Sequence, residues 1–194
     1  MKGCAVSTLA FAGLLALPLF AQGQIPNQSQ GQAPKGPPDR PLAVASTADA
    51  IRQLYNAVKN NLLKAADAMP DDGYAFKPTP EEREFGGWVA HVADAQTAGC
   101  SRALGTPKAP SAGSKTTKAD LVAALKDSFD TCDAAYAALT DANGSETVQS
   151  FRGPTTRLAS LAGNVAHDNE CYGAMAVYLR LKGVVPPSSN MPRR

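Results

Sequence analysis

The stretch Asn164-Val-Ala-His-Asp-Asn-Glu-Cys-Tyr172 lies within a long predicted helix that begins after Pro154 and runs to Lys182. Apolar residues at spacings of three and four predict that this helix packs into a core; they are Leu161, Val165, Tyr172, Met175 and Leu179. Residues four positions apart share a helix face, so His167 and Cys171 point the same way at the edge of this stripe. An imidazole and a thiolate in this relation can bind one metal ion.

The other histidine, His91, lies in a second predicted helix beside Trp88. Small residues share its side of that helix and leave room for a neighbouring helix or a cavity; among them are Ala95, Ala98 and Gly99. His91, His167 and Cys171 would supply three ligands to a divalent metal and leave a coordination position open, as in reactive metal sites. Zinc suits this nitrogen and sulfur set best, with nickel or another transition metal as the alternative.

The same residues also allow a metal-free interpretation, in which both histidines are buried and hydrogen-bonded. Three polar residues near the predicted ligands are candidates to orient them or to accept a proton: Asp94, Asn164 and Glu170. Such outer partners are typical of metal sites. Asp94 lies to the side of His91, which fits a surface carboxylate better than a partner of the imidazole.

The N-terminal region predicts export. Met1-Lys2 precedes an apolar run from about Ala5 to Ala21 that is too short for a membrane-spanning helix, and Ala21-Gln-Gly23 resembles a cleavage site. We interpret residues 1–23 as a secretory signal, with an uncleaved anchor as the alternative. Cys4 precedes the apolar run, so a lipoprotein is not expected. The mature protein is predicted to be periplasmic or extracellular. Residues 24–45 are rich in Pro, Gly and Gln and form a flexible leader.

Three further amphipathic helices follow the leader, and no segment shows the alternation of a strand. Hydroxyl caps at Ser46 and Thr117 mark two of their starts. Four helices in about 140 residues predict an all-α protein, an up-down four-helix bundle over residues 46–185, with a tail at 186–194. The predicted limits of the three helices are Ser46 to Met69, Pro80 or Phe85 to Leu104, and Thr117 to Leu139. The apolar stripe predicted for helix one includes Leu54.

The charge balance of the chain limits the kinds of partner that it is expected to bind. The chain has 19 basic and 17 acidic side chains, a net charge of +2, and no basic stripe. This balance argues against a nucleic-acid-binding surface. No membrane-spanning segment is expected after signal cleavage. The predicted partner is an unidentified small molecule.

The cysteines predict one disulfide. Cys100, Cys132 and Cys171 remain after signal removal, an odd number. Cys100 and Cys132 lie on predicted neighbouring core helices, and an oxidising compartment favours their pairing. That bridge would leave Cys171 free beside His167. The alternative is three buried thiols that act as small apolar residues.

The chain resembles the DinB-like (DinB/YfiT-like) four-helix-bundle family over about residues 46–185. The residues that carry the resemblance are Met69-Pro70, Tyr74-x-Phe76-x-Pro78, Phe85-Gly-x-Trp88-Val-Ala-His91-Val-Ala93 and Asn164-Val-Ala-His167-Asp-Asn-Glu170. Family members typically bind a divalent metal through one histidine on the second helix and a His-x-x-x-His pair on the fourth. By this resemblance His91 and His167 match ligand positions, whereas Cys171 replaces the third histidine.

The resemblance implies relatives that include metal-dependent thiol transferases and hydrolase-like enzymes, and it suggests a homodimer. It does not transfer a substrate. Two hypotheses therefore stand at this point. The protein is either a metal-dependent enzyme acting on a small molecule, or a non-catalytic exported bundle with a degenerate, metal-free site. The retained histidines favour the first, and the substitution at Cys171 favours the second.

Overall fold

The computed structural model describes residues 46–190, so the predicted signal and leader lie outside the described residues. The helices are α1 (Thr47–Ala68), α2 (Phe85–Ala103), α3 (Lys118–Ala138) and α4 (Arg157–Leu181), and two short strands, β1 (Thr147–Ser150) and β2 (Gly153–Thr156), precede α4. The predicted four-helix bundle is confirmed. None of the helices in residues 46–190 is both long and apolar enough to cross a membrane.

Local hydrogen bonds explain where the helices begin and end. Hydroxyl oxygens accept from the N–H three residues on at the starts of α1, α3 and α4, at Ser46, Thr117 and Thr156. The end of α4 is a Schellman motif, in which Gly183 N–H donates to Arg180 and Val184 N–H donates to Leu179. Gly183 adopts a φ of 74°, which a side chain disfavours. The predicted caps at Ser46 and Thr117 are present, and Gly183 caps the end of α4.

The helices of the bundle run up, down, down and up, so α2 and α3 do not alternate in direction as the predicted up-down order requires. Gly86 faces Leu121 near the starts of α2 and α3, and Cys100 is bonded to Cys132 further along both, so these two helices are parallel. The segment that joins the end of α2 to the start of α3 must therefore run back along α2. Asp94 holds this return, because its two carboxylate oxygens accept from the backbone N–H of Ala112 at 2.7 Å and Gly113 at 3.0 Å.

Helix α4 runs antiparallel to α2, which brings its middle against the middle of α2. Near the end of α4, Tyr178 donates to the carbonyl of Arg83, just before α2 begins. At the start of α4, Arg157 donates to the carbonyl of Ala103, at the end of α2. The two predicted histidines are thereby placed at the same level.

The β-hairpin was not predicted. Strands β1 and β2 pair antiparallel with Ser150 opposite Gly153, and each has four residues. Alternation cannot be recognised in so short a segment, and only Val148 of β1 is buried. Gly153 has a φ of 102°, which glycine tolerates in the tight turn.

The apolar stripe predicted for α4 is buried in the core. The stripe of α3 is buried throughout, at Leu121, Leu125, Phe129, Cys132, Tyr136 and Leu139. Leu54 of α1 is wrongly predicted, because its side chain is 56% exposed. Tyr55 and Tyr136 stack in the centre with ring centroids 3.8 Å apart. Tyr74 is buried over the ends of the helices, where its hydroxyl donates to the carbonyl of Ala66 at 2.7 Å.

Candidate metal centre

The structure brings the three predicted ligands together. Nε2 of His91 lies 3.0 Å from Nε2 of His167, and Sγ of Cys171 lies 3.6 Å from the same nitrogen of His167. One ligand atom of each residue lies within 4.8 Å of the other two. Cys171 is buried, and the two imidazoles are half-buried. Three metal-binding side chains thus meet at one point between α2 and α4.

Two of the three ligand separations are close to those in a zinc site. Zinc binds imidazole nitrogen at about 2.0–2.1 Å and thiolate sulfur at about 2.3 Å, so tetrahedral ligands are separated by about 3.3–3.6 Å. The measured separation of His167 from Cys171 agrees with this value, and the separation of His91 from His167 is a few tenths of an ångström shorter. Small rotations of the side chains would complete a three-ligand site.

The two histidines differ in their electrostatic environment. Burial, and then the nearby Arg83, lower the pKa of His91. The Asp168 carboxylate and the Cys171 side chain raise the pKa of His167 to about 10. At neutral pH without metal, His167 is therefore protonated and can donate from Nε2 to the neutral His91. A metal that binds here must displace that proton.

Asp168 is the site residue that the sequence analysis missed. It is fully buried, and Oδ1 lies 3.6 Å from Nδ1 of His167. Gln96 donates to Oδ2 at 3.1 Å. Burial raises the pKa of the Asp168 carboxyl, while His167 opposes that shift. A carboxylate behind a ligand imidazole fixes the orientation of the ring.

A gap in the apolar stripe of α4 could have revealed Asp168. Val165 and Tyr172 are seven residues apart, and the core position between them is 168. A carboxylate at a core position requires buried partners. The polar position is easily overlooked because the rest of the stripe is apolar.

The three residues predicted as partners of the ligands lie at different places around the site. Asn164 lies behind the site: Oδ1 accepts from Tyr136 at 2.8 Å, and Nδ2 lies 3.5 Å from Asp168. Glu170 is exposed on the rim of the adjoining cleft. Asp94 also lines that cleft, but both of its oxygens are used by the backbone N–H groups of the α2–α3 segment. Asp94 therefore anchors a loop.

A cleft of about 980 Å³ opens beside the three ligands. It lies between α2, α4 and the β-hairpin, and His91 and His167 form part of its wall. Much of the wall consists of small residues, among them Ala95, Ala98, Gly99, Ala159 and Gly163. Clefts of this size take small molecules. A molecule in the cleft would reach the imidazoles.

The sequence matches the family model of the DinB superfamily over residues 53–175, which is more than half of the chain. The chain belongs to the DinB superfamily. A search of curated proteins finds no match.

Solved structures agree with the DinB fold. A DinB-like protein from Bacillus cereus ATCC 10987 superposes with a TM-score of 0.62 at 17% identity, covering 71% of this chain and 93% of that one. A DinB-like protein from Bacillus subtilis gives a TM-score of 0.58 at 20% identity, covering 74% and 96%. At these identities the likeness shows the fold alone.

This DinB superfamily member also contains a disulfide close to its candidate metal centre. Cys100 and Cys132 are bonded and join α2 to α3, whereas Cys171 is free and buried. The amide of Gln96 lies near Cys132 and donates to Asp168. The disulfide thus holds α2 against α3 close to Gln96. The side chain of Gln96 in turn donates to the Asp168 carboxylate beside His167.

Proposed function

We propose that this protein is an exported metalloenzyme in which His91, His167 and Cys171 bind one divalent metal. Zinc fits the donor set, and the substrate is a small molecule bound in the adjoining cleft. Hydrolysis or thiol transfer is the proposed reaction class. The observation that carries the proposal is the convergence of three ligand atoms within 4.8 Å of one another at the wall of that cleft.

When bound with an open coordination position, zinc supplies Lewis-acid chemistry at neutral pH. The protein residues would do the rest. Asp168 holds the ring of His167 in place, and burial of Cys171 excludes solvent from its sulfur. Glu170, on the cleft rim three residues after His167, is the carboxylate proposed to accept a proton from the bound molecule.

One observation favours a non-catalytic protein instead. The direct contact of 3.0 Å between the imidazoles satisfies both nitrogens without a metal. Because a thiol stands where the family has a third imidazole, the metals typical of the family could bind weakly. In this alternative the bundle is a binding or scaffold module.

Metal analysis of the purified, untagged protein separates the two functions. The enzyme hypothesis predicts about one zinc per chain, measured by inductively coupled plasma mass spectrometry. A His91→Ala, His167→Ala double variant should contain no zinc. A Cys171→His variant should shift the preference toward nickel, because three nitrogens suit nickel. Wild-type protein without metal, even after isolation from zinc-supplemented medium, would favour the non-catalytic bundle.

Two features support the proposed export. The N-terminal 23 residues have the pattern of a secretory signal, and the structure contains a Cys100–Cys132 disulfide, a bond that persists in oxidising compartments. N-terminal sequencing of protein from the native cell tests the export. Mature chains should begin near residue 24 and be found outside the cytoplasm. Chains that retain Met1 in the cytoplasmic fraction would contradict it.

A further inference from the structure

We propose that the cleft takes an elongated small molecule with a terminal carboxylate, which Arg102 and Arg152 bind at the end away from His91 and His167. This inference rests on the proposed metal site, and it specifies the class of molecule that the site serves.

Arg102 faces the same groove as His91. The two residues are eleven positions apart on α2, which is close to three full turns, so their side chains share a face and their Cα atoms are about 16 Å apart. Both line the cleft, with Ala98 and Gly99 between them. A molecule that touches both ends must therefore be elongated.

Two arginines line the end of the cleft away from His91 and His167. Arg102 lies under the ring of Phe151, with its Cζ 4.2 Å from the ring centroid, and Arg152 follows Phe151 in the turn of the hairpin. Among residues 46–190, neither arginine forms an ion pair. Arg102 uses one N–H to donate to the carbonyl of Ala98 at 3.1 Å, and Arg152 is exposed. Guanidinium groups suit carboxylates because they can donate two parallel hydrogen bonds.

The acidic residues of the cleft lie elsewhere and do not neutralise this pair. Asp94 has both oxygens bonded to backbone N–H groups, and Glu170 is three residues from His167. The cleft is thus polar at one end with ligand imidazoles and positive at the other. The hydroxyl of Ser160, on α4, adds a hydrogen-bonding group to the lining, whereas that of Ser150 is used within the hairpin turn, where it donates to the carbonyl of Gly153.

The middle of the cleft is open because it is lined by glycine. A Cβ added at Gly99 or Gly163 would meet no atom within 4 Å. Both glycines line the cleft. Larger side chains at these positions would therefore fill the cleft without disturbing the protein around them.

The test uses two series of hydroxamates of increasing chain length, in which the hydroxamate binds zinc and the other end is either a carboxylate or a methyl group. At an optimal length the carboxylate series should bind the zinc-loaded protein about 10- to 100-fold more tightly. In an Arg102→Gln, Arg152→Gln variant that ratio should fall to about 1, with unchanged affinity for zinc and for the methyl series. Arg180→Gln, which removes a charge outside the cleft, should leave the ratio intact.

Gly163→Leu should weaken both series and leave zinc binding intact, whereas Gly173→Leu should change neither. Gly173 is the matched control because a Cβ there also meets nothing within 4 Å, but it lies outside the cleft. If zinc binds and the two series bind equally, or if the arginine variant keeps the preference, the carboxylate site is refuted and the metal site stands. If zinc itself does not bind, both proposals are refuted.

Discussion

Asp168 is the buried carboxylate that adjoins the candidate metal centre. Its carboxylate lies behind His167, and its buried partners are Gln96 and Asn164. Asp168→Asn keeps the shape of the side chain but removes its charge. We expect zinc affinity to fall about 10- to 100-fold, as it does when a carboxylate behind a ligand imidazole is lost.

The control for Asp168→Asn is Asp94→Asn. Asp94 holds Ala112 and Gly113 and makes no hydrogen bond to a ligand. Its substitution should lower thermal stability and leave zinc affinity unchanged. Equal zinc affinities for wild type and Asp168→Asn, measured by competition with a chromogenic chelator, would show that Asp168 does not position His167.

The raised pKa of His167 predicts how zinc binding depends on pH. Without metal, His167 should keep its proton up to about pH 10, whereas His91 should lose its proton below its ordinary value. Zinc must displace the proton of His167, so zinc affinity should rise with pH through the neutral range and fall in acid. An NMR titration of the metal-free protein checks this, since the chain has only two histidines. Both rings titrating together near pH 6.5 would contradict it.

The sequence predicted the convergence of His91, His167 and Cys171 better than it predicted the residues around them. The relation of His167 to Cys171 is local, because helical spacing alone puts them one turn apart. The contact between His91 and His167 depends on how α2 and α4 pack against each other, which helical spacing does not predict. The resemblance to DinB-like proteins indicated that the two histidines lie together. Asp168 and Asp94 depend on partners in other segments, and their roles could not be read from one helix.

The disulfide is the element-scale feature with the largest predicted effect on stability. It closes a sequence separation of 32 residues between the parallel helices α2 and α3. Loss of the bridge should destabilise the native state by about 3–4 kcal/mol, mainly because the unfolded chain gains entropy. A Cys100→Ser, Cys132→Ser variant measured by urea unfolding tests this prediction. A change in unfolding free energy within error of zero would contradict it.

Helix positions were predictable, but helix directions were not. The caps and apolar stripes are local signals and gave the limits of α1, α3 and α4 to within a few residues. The parallel course of α2 and α3 depends on where the segment between them runs, and the bonds from Asp94 that hold this segment are long-range. The hairpin escaped prediction because strands of four residues carry too little pattern.

For the whole molecule, we expect residues 46–190 to fold as an independent unit, because they contain a continuous buried core. Ser188, near the end of this range, still contacts the hydroxyl of Tyr172. A chain truncated to residues 46–190 should therefore keep full helical circular dichroism and a cooperative thermal transition. Loss of cooperative melting on removal of the first 45 residues would show that the leader contributes to the fold.

The most direct test of the metal site is a calorimetric titration of zinc into metal-stripped protein, under anaerobic conditions that keep Cys171 as a thiol. Wild-type protein should bind one zinc per chain. His91→Ala, His167→Ala and Cys171→Ala should each weaken binding by orders of magnitude, because each removes one of three ligands. Glu170→Ala is the matched control and should bind zinc like wild type. If wild type and the His91→Ala, His167→Ala double variant bind zinc identically, these side chains do not form a metal site.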